Sequence, residues 1–242
     1  MRRILLFTLL VTGAVAGGSQ AVPSADLRVL FIGNSLTSFN DLPQMVEAIA
    51  EAGGKGHVRV HSVTANNFSL EDHWNSGPAR QTIGRGRWDW VVLQQGPSSQ
   101  PDSQVLLREY VKRFDGVIRK ANAKTALYMV WPARARYGDM KGVIASYTNA
   151  AADVDGAMLP AGLAWDMAFQ RERDLPLYGD DQFHPSTLGS YLAALVIYEG
   201  LTGEPTAGLR AAVRERTLTP PRLQLLTDVA HQAVTLNRQR EK

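Results

Sequence analysis

Apolar and polar positions along the chain follow two periods, and these predict strands separated by helices. Short runs rich in Val, Ile, Leu and Phe predict buried strands, and five such runs span 27–32, 58–63, 88–93, 125–130 and 158–163. Apolar residues spaced three and four apart predict amphipathic helices, at 41–52, 103–122, 140–154, 186–202 and 221–238, with a partly helical segment at 70–85. This alternation predicts βαβ units, and therefore an α/β fold with a central parallel sheet of about five strands and helices on both faces.

The composition is that of an ordinary globular protein. Of the 242 residues, 45% are hydrophobic and 20% are charged, which excludes a disordered or collagen-like chain. The sequence has no internal repeat, low-complexity tract or linker, so we expect 22–242 to form a single domain. It also contains no cysteine, which excludes a disulfide framework, a thiolate nucleophile, a Cys-ligated zinc and an iron–sulfur cluster.

Residues 1–21 have the pattern of a secretory signal peptide. Two arginines precede an apolar run at 4–16, and the small residues at 14–16 and 19–21 fit the small-x-small rule for cleavage. The alternative is a retained membrane anchor, but a helix of this run spans only ~20 Å, less than the ~30 Å hydrocarbon core of a bilayer. We therefore expect export to the periplasm or the medium, without stable membrane insertion after the signal is removed.

The charge of the chain does not indicate a nucleic-acid partner. The formal net charge of +3 includes Arg2 and Arg3, and their removal with the signal peptide would leave +1. No cluster of Lys and Arg interleaved with aromatic residues occurs in the sequence. We therefore expect a small-molecule or carbohydrate substrate, and the sequence leaves the oligomeric state open.

Candidate catalytic side chains follow the first predicted strand. Open parallel sheets bind ligands beyond the carboxyl ends of their strands, and Ser35 comes directly after a Gly33-Asn34 turn at such an end. A serine in this position presents its hydroxyl at the edge of the sheet, where its own N–H is placed to stabilise an oxyanion. The alternative is a plain turn in which Ser35 or Thr37 caps the next helix. The turn matches neither of the glycine-rich phosphate-binding motifs.

A second group of polar residues lies at 180–185, before the helix predicted at 186–202. A serine hydroxyl is a weak nucleophile until a base removes its proton, and a histidine oriented by a carboxylate is the usual base. Asp181 and His184 are three residues apart, close enough to contact each other, and Asp180 is an alternative partner for the histidine. Two further alternatives are acidic residues that cap the following helix and a metal site of two Asp and one His, which we consider weaker.

The two blocks in combination resemble the SGNH/GDSL hydrolase family. The run FIGNSLTSFNDLP, with SLEDHW, VVLQQG and DDQFHPSTLGSYLAA, is similar to a bacterial subfamily of SGNH-like proteins, and the resemblance covers essentially the whole mature chain. It implies a flavodoxin-like three-layer α/β/α fold. It also implies Ser35 as nucleophile, His184 as general base and Asp181 as the residue that orients His184, with no metal or organic cofactor.

The middle blocks depart from the pattern of the family, which supplies oxyanion donors from a Gly after strand two and an Asn after strand three. Here Asn66 or Asn67 would have to donate a backbone N–H in place of the Gly, in a turn whose left-handed geometry Asn tolerates. After strand three, the side chain of Gln94, Gln95 or Ser98 would replace the Asn. The chain is then either a slow enzyme, since loss of one oxyanion donor costs ~10²–10³ in rate, or a competent enzyme with a rebuilt oxyanion site. We favour the rebuilt site, because a glutamine amide has the donor chemistry of Asn on a longer stem.

Several side chains near the strand ends are candidates for substrate contact. His73, Trp74 and Trp131 are candidates for the wall of a substrate site, with packing in the core or a loop as the alternative for the two tryptophans. Arg134 and Arg136 follow the fourth strand and could bind an anionic substrate, although we favour a solvated loop for both.

The sequence therefore predicts an exported serine esterase that hydrolyses carboxylic O-acyl esters through a Ser-His-Asp triad and an acyl-enzyme. Family resemblance and export together suggest O-acetyl groups on a carbohydrate. Two alternatives stay open. One is a glycan O-acyltransferase that uses the same triad, and the other is a non-catalytic glycan- or ligand-binding protein on a decayed hydrolase scaffold.

Overall fold

The computed structural model describes residues 26–53, 57–213 and 215–240, so the signal peptide expected at 1–21 lies outside the described residues. Five parallel strands form one sheet in the order β2-β1-β3-β4-β5. They span β1 Leu27–Gly33, β2 Val58–Thr64, β3 Trp90–Leu93, β4 Lys124–Tyr128 and β5 Ala157–Leu159. The predicted parallel sheet of about five strands is confirmed.

Helices cover both faces of the sheet and complete a three-layer α/β/α fold. The helices in the described part of the chain are α1 Ser35–Ser38, α2 Leu42–Gly53, α3 Leu70–Ser76, α4 Pro78–Arg85, α5 Pro101–Lys120, α6 Met140–Ala152, α7 Ala161–Arg171, α8 Thr187–Thr202 and α9 Pro220–Arg240. Helices α2, α7, α8 and α9 pack together as one group, and α3, α4, α5 and α6 pack as the other. Helix α2 connects β1 to β2 in one direction, and α3 to α6 lie in the connections from β2 to β5, which run in the other direction, so the right-handed rule for crossovers predicts opposite faces for them. Helices α7, α8 and α9 follow the last strand and pack with α2.

The core lies between the sheet and these two groups of helices. The central strands are apolar on both faces, as expected for a parallel sheet covered by helices, and Val29–Ile32, Val91–Leu93 and Ala126–Tyr128 are completely or almost completely buried. Helix α8 is apolar around nearly its whole circumference and is buried along most of its length. The carboxyl edge of the sheet is therefore carried by a well-packed core.

Two predicted elements differ from the structure. The fifth strand was expected to extend over 158–163, but it ends at Leu159, and Pro160 caps the N-terminus of helix α7, which the sequence pattern did not predict. A short apolar run fits a strand and a buried helix equally well, and here Ala161–Leu163 belongs to a buried helix. The segment 70–85 forms two helices, because Gly77 adopts a φ of 95° between them.

The order of the strands places a crevice where β1 and β3 lie side by side. The connections after these strands leave in opposite directions, toward β2 and toward β4, so their carboxyl ends open a cleft at this point. Ser35 follows β1 and Gln94 follows β3 at this edge. No helix in the described ranges is long and apolar enough to cross a membrane.

Candidate active site

Three side chains from the two ends of the sequence form a chain of hydrogen bonds at this edge. The Oγ atom of Ser35 lies 2.8 Å from Nε2 of His184, and Nδ1 of the same ring lies 2.5 Å from Oδ2 of Asp181. Because a carboxylate only accepts, Nδ1 carries the proton and Nε2 accepts from the Ser35 hydroxyl. The arrangement can therefore remove a proton from Ser35, and the residues expected from the sequence lie together.

Asp181, and not the neighbouring Asp180, contacts the imidazole. Its Oδ1 atom also accepts hydrogen bonds from the N–H groups of Phe183, at 3.0 Å, and His184, at 2.8 Å. These bonds, and above all the one from the His184 side chain, lower the pKa of Asp181 to about 2. The Asp181 carboxylate therefore remains ionised near neutral pH. It fixes both the loop and the imidazole ring of His184.

An aromatic ring that the sequence analysis did not single out stacks on the histidine. The rings of Phe39 and His184 are 4.2 Å apart and inclined by 14°, although Phe39 is 40% exposed. The ring of Phe183 contacts the same imidazole edge-on at 5.1 Å. The stacked ring limits rotation of the imidazole.

Asn40 links the segment that carries Ser35 to the loop that carries His184. It has a φ of 54°, a left-handed conformation for which Asn is one of the more tolerant residues. Its Nδ2 atom donates to the carbonyl of Pro185, at 3.0 Å, and to Oγ of Ser190, at 2.9 Å. Because Pro185 directly follows His184, these bonds help to fix the separation of Ser35 from the histidine.

The side chain of Gln94 supports the turn at 33–35, which we call the nucleophile turn. Its Oε1 atom accepts from the N–H of Asn34, at 2.8 Å, and from the hydroxyl of Thr37, at 2.7 Å. Its Nε2 atom donates to Oδ1 of Asn34, at 3.0 Å, and to the carbonyl of Gln95, at 2.7 Å. Nδ2 of Asn34 in turn donates to the carbonyl of Phe68, at 3.0 Å. The turn that carries Ser35 is thus joined to the loops that follow β2 and β3.

His73 supports the same turn from a buried position. Its Nε2 atom lies 2.8 Å from the carbonyl oxygen of Gly33 and, since a carbonyl only accepts, carries the proton. The side chain is 2% exposed, and burial lowers the pKa of His73, which favours the neutral ring. Helix α3 begins at a capping box formed by Ser69 and Asp72, which fixes the helix that carries His73.

The glutamines and Ser98 do not offer the oxyanion donor that we expected from them. Both amide hydrogens of Gln94 are bound within the nucleophile turn. Nε2 of Gln95 donates to Oγ of Ser98, at 3.0 Å, and to the carbonyl of Ser103, at 3.4 Å, and the Ser98 hydroxyl donates to the carbonyl of Gly96, at 2.9 Å. The long stem of each glutamine reaches protein acceptors inside the fold instead of the cleft.

Backbone N–H groups are the remaining candidates for an oxyanion site. In the part of the chain that the structure describes, the N–H groups of Ser35, Asn66 and Asn67 donate no hydrogen bond. The turn after β2 is closed by a bond of 3.2 Å from the N–H of Phe68 to the carbonyl of Ala65. Within it Asn67 has a φ of 62°, which confirms that Asn adopts left-handed geometry in this turn.

Of the three side chains expected at the substrate wall, Trp131 and His73 are buried, whereas Trp74 is partly exposed and packs against a helix. Trp131 is completely buried and stacks on Trp165 with 3.5 Å between ring centres. Trp74 packs edge-on against Phe114 of α5 at 5.3 Å, and His73 lies beneath the nucleophile turn. The packing alternative therefore applies to both tryptophans, because large rings next to a strand end are drawn into the core by the apolar area they bury.

The two arginines after β4 have different environments. Arg136 forms an ion pair of 2.5 Å with Asp139. The backbone N–H of Arg134 donates to the carbonyl of Gln182, at 2.9 Å, so this arginine lies beside the loop that carries His184. Arg134 is therefore hydrogen-bonded to the loop that carries His184, whereas the side chain of Arg136 is paired with a carboxylate.

A small cleft lies next to the histidine, between the loops that follow β3 and β4. Its volume is about 190 Å³. It is lined by Pro97, Ser98, Ser99, Gln100, Ser103, Pro132, Ala133, Arg136, Asp139 and Phe183. Phe183, one of its lining residues, contacts the imidazole of His184 directly, so the cleft borders the histidine.

Comparison with known proteins places this geometry in context. No family model matches the sequence, and no curated protein matches it significantly. Among solved structures, the chain is similar to a candidate SGNH hydrolase from Slackia heliotrinireducens, with 27% identity and a TM-score of 0.62 over 73% of this chain and 99% of the other.

Two further solved structures share the fold at lower identity. A DUF4886 family protein from Bacteroides uniformis has 19% identity and a TM-score of 0.74 over 87% of this chain and 95% of the other. A variant of an acetyl xylan esterase from Geobacillus stearothermophilus has 14% identity and a TM-score of 0.57 over 80% of this chain and 99% of the other.

Proposed function

We propose that this SGNH-like chain is a serine esterase that hydrolyses short-chain O-acyl esters, with Ser35 as nucleophile, His184 as general base and Asp181 as the residue that orients the histidine. The structural neighbours support an SGNH-like family and an esterase-like hydrolase. The observation that carries the proposal is the continuous chain of hydrogen bonds from Ser35 Oγ through His184 to Asp181. A serine is activated as a nucleophile in this arrangement.

The steps of the proposed reaction follow from which nitrogen of His184 carries a proton. Nε2 of His184 takes the hydroxyl proton while Oγ of Ser35 forms a bond to the ester carbonyl carbon. The tetrahedral intermediate collapses when the bond to the alcohol oxygen breaks, and His184 returns its proton to that oxygen. A water molecule then attacks the acyl-enzyme, with His184 again as base, and releases the acid and free Ser35. Asp181 stabilises the imidazolium in both steps.

The oxyanion is assigned to backbone N–H groups. Those of Ser35 and of Asn66 or Asn67 have no acceptor elsewhere in the described ranges, and they lie in two turns that Asn34 joins by a side-chain hydrogen bond. Backbone donors held in this way need no reorganisation when negative charge develops. They replace the side-chain donor that neither glutamine supplies.

Short acyl groups are the substrates that the site suits best. The cleft beside Phe183 has a volume of only about 190 Å³, which is small compared with typical pockets for drug-sized ligands, at roughly 300–1,000 Å³. The similarity to an acetyl xylan esterase supports an O-acetyl carbohydrate as the class of substrate, and the signal-like N-terminus supports action outside the cytoplasm.

The test of this proposal is hydrolysis of para-nitrophenyl acetate, butyrate and octanoate by the mature protein. We expect turnover to be fastest with acetate and to fall by at least about tenfold in kcat/KM at octanoate, because an eight-carbon chain does not fit the small cleft without displacing its side chains. Equal rates across the three esters would contradict the small acyl site. Absence of turnover by a folded protein would contradict the assignment to this ester class.

Replacement of Gly33 tests whether activity depends on the hydrogen bonds that hold the turn before Ser35. A Cβ atom at this position would lie 2.4 Å from Oε1 of Gln94 and 2.5 Å from Oγ1 of Thr37, so Gly33→Ala must displace the bonds that hold Asn34. We expect kcat to fall by about 100-fold and the free energy of unfolding by about 1–3 kcal/mol. The matched control is Gly96→Ala, where a Cβ would meet no atom within 4 Å. Equal activity of both variants would show that the turn tolerates displacement.

A further inference from the structure

A larger cleft, which we call the arginine cleft, lies beside the catalytic loop and has no part in the steps described above. Its volume is about 720 Å³. It is formed by the segment after β4, by the C-terminal half of α7 and by the segment that leads into the catalytic loop. Its lining residues are Arg134, Tyr137, Asp166, Phe169, Gln170, Arg171, Arg173 and Tyr178.

The arginine cleft is joined to the loop that carries the histidine. The backbone N–H of Arg134 donates to the carbonyl of Gln182, two residues before His184, and two residues span at most roughly 7–8 Å. On the other wall, Tyr178 pairs with Pro185 across an isolated β-bridge. The arginine cleft therefore borders the loop that carries His184 on two of its walls.

The charges around the cleft are unbalanced. Arg134, Arg171 and Arg173 line it, and none of the three forms an ion pair with any carboxylate in the described part of the chain. The guanidinium of Arg171 instead donates to the neutral side chain of Gln232, at 2.7 Å. Three charged groups thus face one cavity without a partner of opposite sign.

One carboxylate lines the cleft, and its oxygens are already occupied. Oδ1 of Asp166 accepts from the hydroxyl of Tyr137, at 2.7 Å, and Oδ2 accepts from Nε2 of Gln170, at 2.8 Å. Burial, together with the hydrogen bond to Asp166, raises the pKa of Tyr137, so its phenol adds no negative charge near neutral pH. The lining of the cleft therefore remains positive.

The position of Arg134 is fixed by aromatic rings. Its guanidinium carbon lies 5.7 Å from the ring centre of Phe169 and 5.9 Å from that of Tyr178, and the two rings stack with 6.0 Å between their centres. Cation–π contacts hold a guanidinium without consuming its hydrogen-bond donors. Its planar fork is then available to a carboxylate, which it binds in a bidentate manner.

We propose that the arginine cleft binds a carboxylate on the alcohol part of the substrate, so that the preferred substrate is an acyl ester of an acidic, uronate-containing glycan. This inference rests on the proposed esterase function. The three arginines suit the charge of successive uronates. The neutral acyl group remains at Ser35.

The test compares an acidic ester with a neutral ester of the same shape. The two probes are O-acetylated tetragalacturonate and its carboxyl methyl ester, and the quantity measured is the ratio of their kcat/KM values. For the wild type we expect a ratio of about tenfold or more in favour of the acidic probe, expressed mainly in KM and reduced by added salt. Arg134→Gln is expected to lower the ratio toward one.

The matched control is Arg87→Gln. Arg87 is exposed and precedes β3 at the opposite end of the sheet, so this variant changes the net charge equally without altering the arginine cleft. We expect it to retain the ratio of the wild type. A wild-type ratio near one, or an equal loss for both probes in Arg134→Gln, would overturn the proposal.

Failure of the proposed esterase function is distinguishable from failure of the arginine cleft. Calorimetric titration with unacetylated tetragalacturonate measures binding without any reaction. Binding that Arg134→Gln weakens by about tenfold supports the cleft even in a protein that hydrolyses no ester. Hydrolysis of para-nitrophenyl acetate without binding of tetragalacturonate supports the esterase and overturns the cleft.

Discussion

Replacing Ser35 by alanine is expected to lower kcat for ester hydrolysis by about 10⁵- to 10⁶-fold, the loss that accompanies removal of a triad nucleophile. The reason is chemical, because the variant has no hydroxyl oxygen to form the acyl-enzyme, while His184 and Asp181 keep their mutual contact. The Ser35 side chain bonds only to His184 among the described residues. We therefore expect the fold to be intact by circular dichroism and thermal unfolding.

The matched control for this variant is Ser38→Ala. Ser38 is exposed and ends the same short helix that Ser35 begins, so its replacement removes a hydroxyl from the same element without touching His184. We expect initial rates with para-nitrophenyl acetate within twofold of the wild type. Retention of more than a few per cent of the activity in Ser35→Ala would show that another group supplies the nucleophile.

The second large effect is expected for Asp181→Asn, which should lower kcat by about 10⁴-fold. The Asn side chain keeps an oxygen to accept the N–H groups of Phe183 and His184, so the loop is retained. Its amide would face Nδ1 of His184 as a donor, and this favours the tautomer in which Nε2 is protonated and is unable to accept the Ser35 proton. Asp180→Asn is the control, since Asp180 is exposed and adjacent.

The lowered pKa of Asp181 also predicts how the contribution of this residue depends on pH. Hydrogen bonds, chiefly from His184, lower the pKa of Asp181 from 3.8 to about 2. Ionised Asp181 therefore favours the folded loop above pH 4, and this contribution is lost as the pH falls towards 2. Between pH 5 and pH 8 the carboxylate does not titrate, so the difference in free energy of unfolding between the wild type and Asp181→Asn should narrow only as the pH falls from 4 towards 2. A difference that is already lost at pH 5 would contradict an ionised orienting residue.

The position of the catalytic residues could be predicted because it depends on a rule of the fold. Residues that follow parallel strands meet at one edge of the sheet, so Ser35 after β1 was expected there from the sequence. The spacing of Asp181 and His184 allows a local contact, which the loop makes at 2.5 Å. The sequence does not predict the distance between Ser35 and His184, because the two residues are 149 positions apart.

The oxyanion donors could not be predicted because they depend on which way polar side chains point. Gln94 and Asn34 are 60 residues apart, and nothing in either local sequence indicates that they bond each other. A buried polar group is drawn to any partner that satisfies it, so the amide of Gln94 supports the turn and does not face the cleft. The left-handed turn at Asn67 was accessible to prediction, since that preference belongs to the residue itself.

The environment of the aromatic residues could not be predicted either, because it depends on packing partners elsewhere in the chain. Trp131 follows β4 at the catalytic edge, as a wall residue would, yet it stacks on Trp165 of the helix that the sequence pattern did not predict. Without α7 in the expected fold, no partner was available to bury Trp131. Phe39, by contrast, lies in a polar stretch and gives no periodic signal, although it stacks on the catalytic imidazole.

The most direct test of an activated serine is labelling of the mature protein with a fluorophosphonate, followed by intact mass and peptide mapping. The account predicts a single adduct on the peptide that contains Ser35, formed rapidly in the wild type and at least about 100-fold more slowly in His184→Ala, because the base that activates the hydroxyl is then missing. A folded protein that remains unlabelled, or that is labelled at another residue, would contradict the central claim and favour a binding protein on a hydrolase fold.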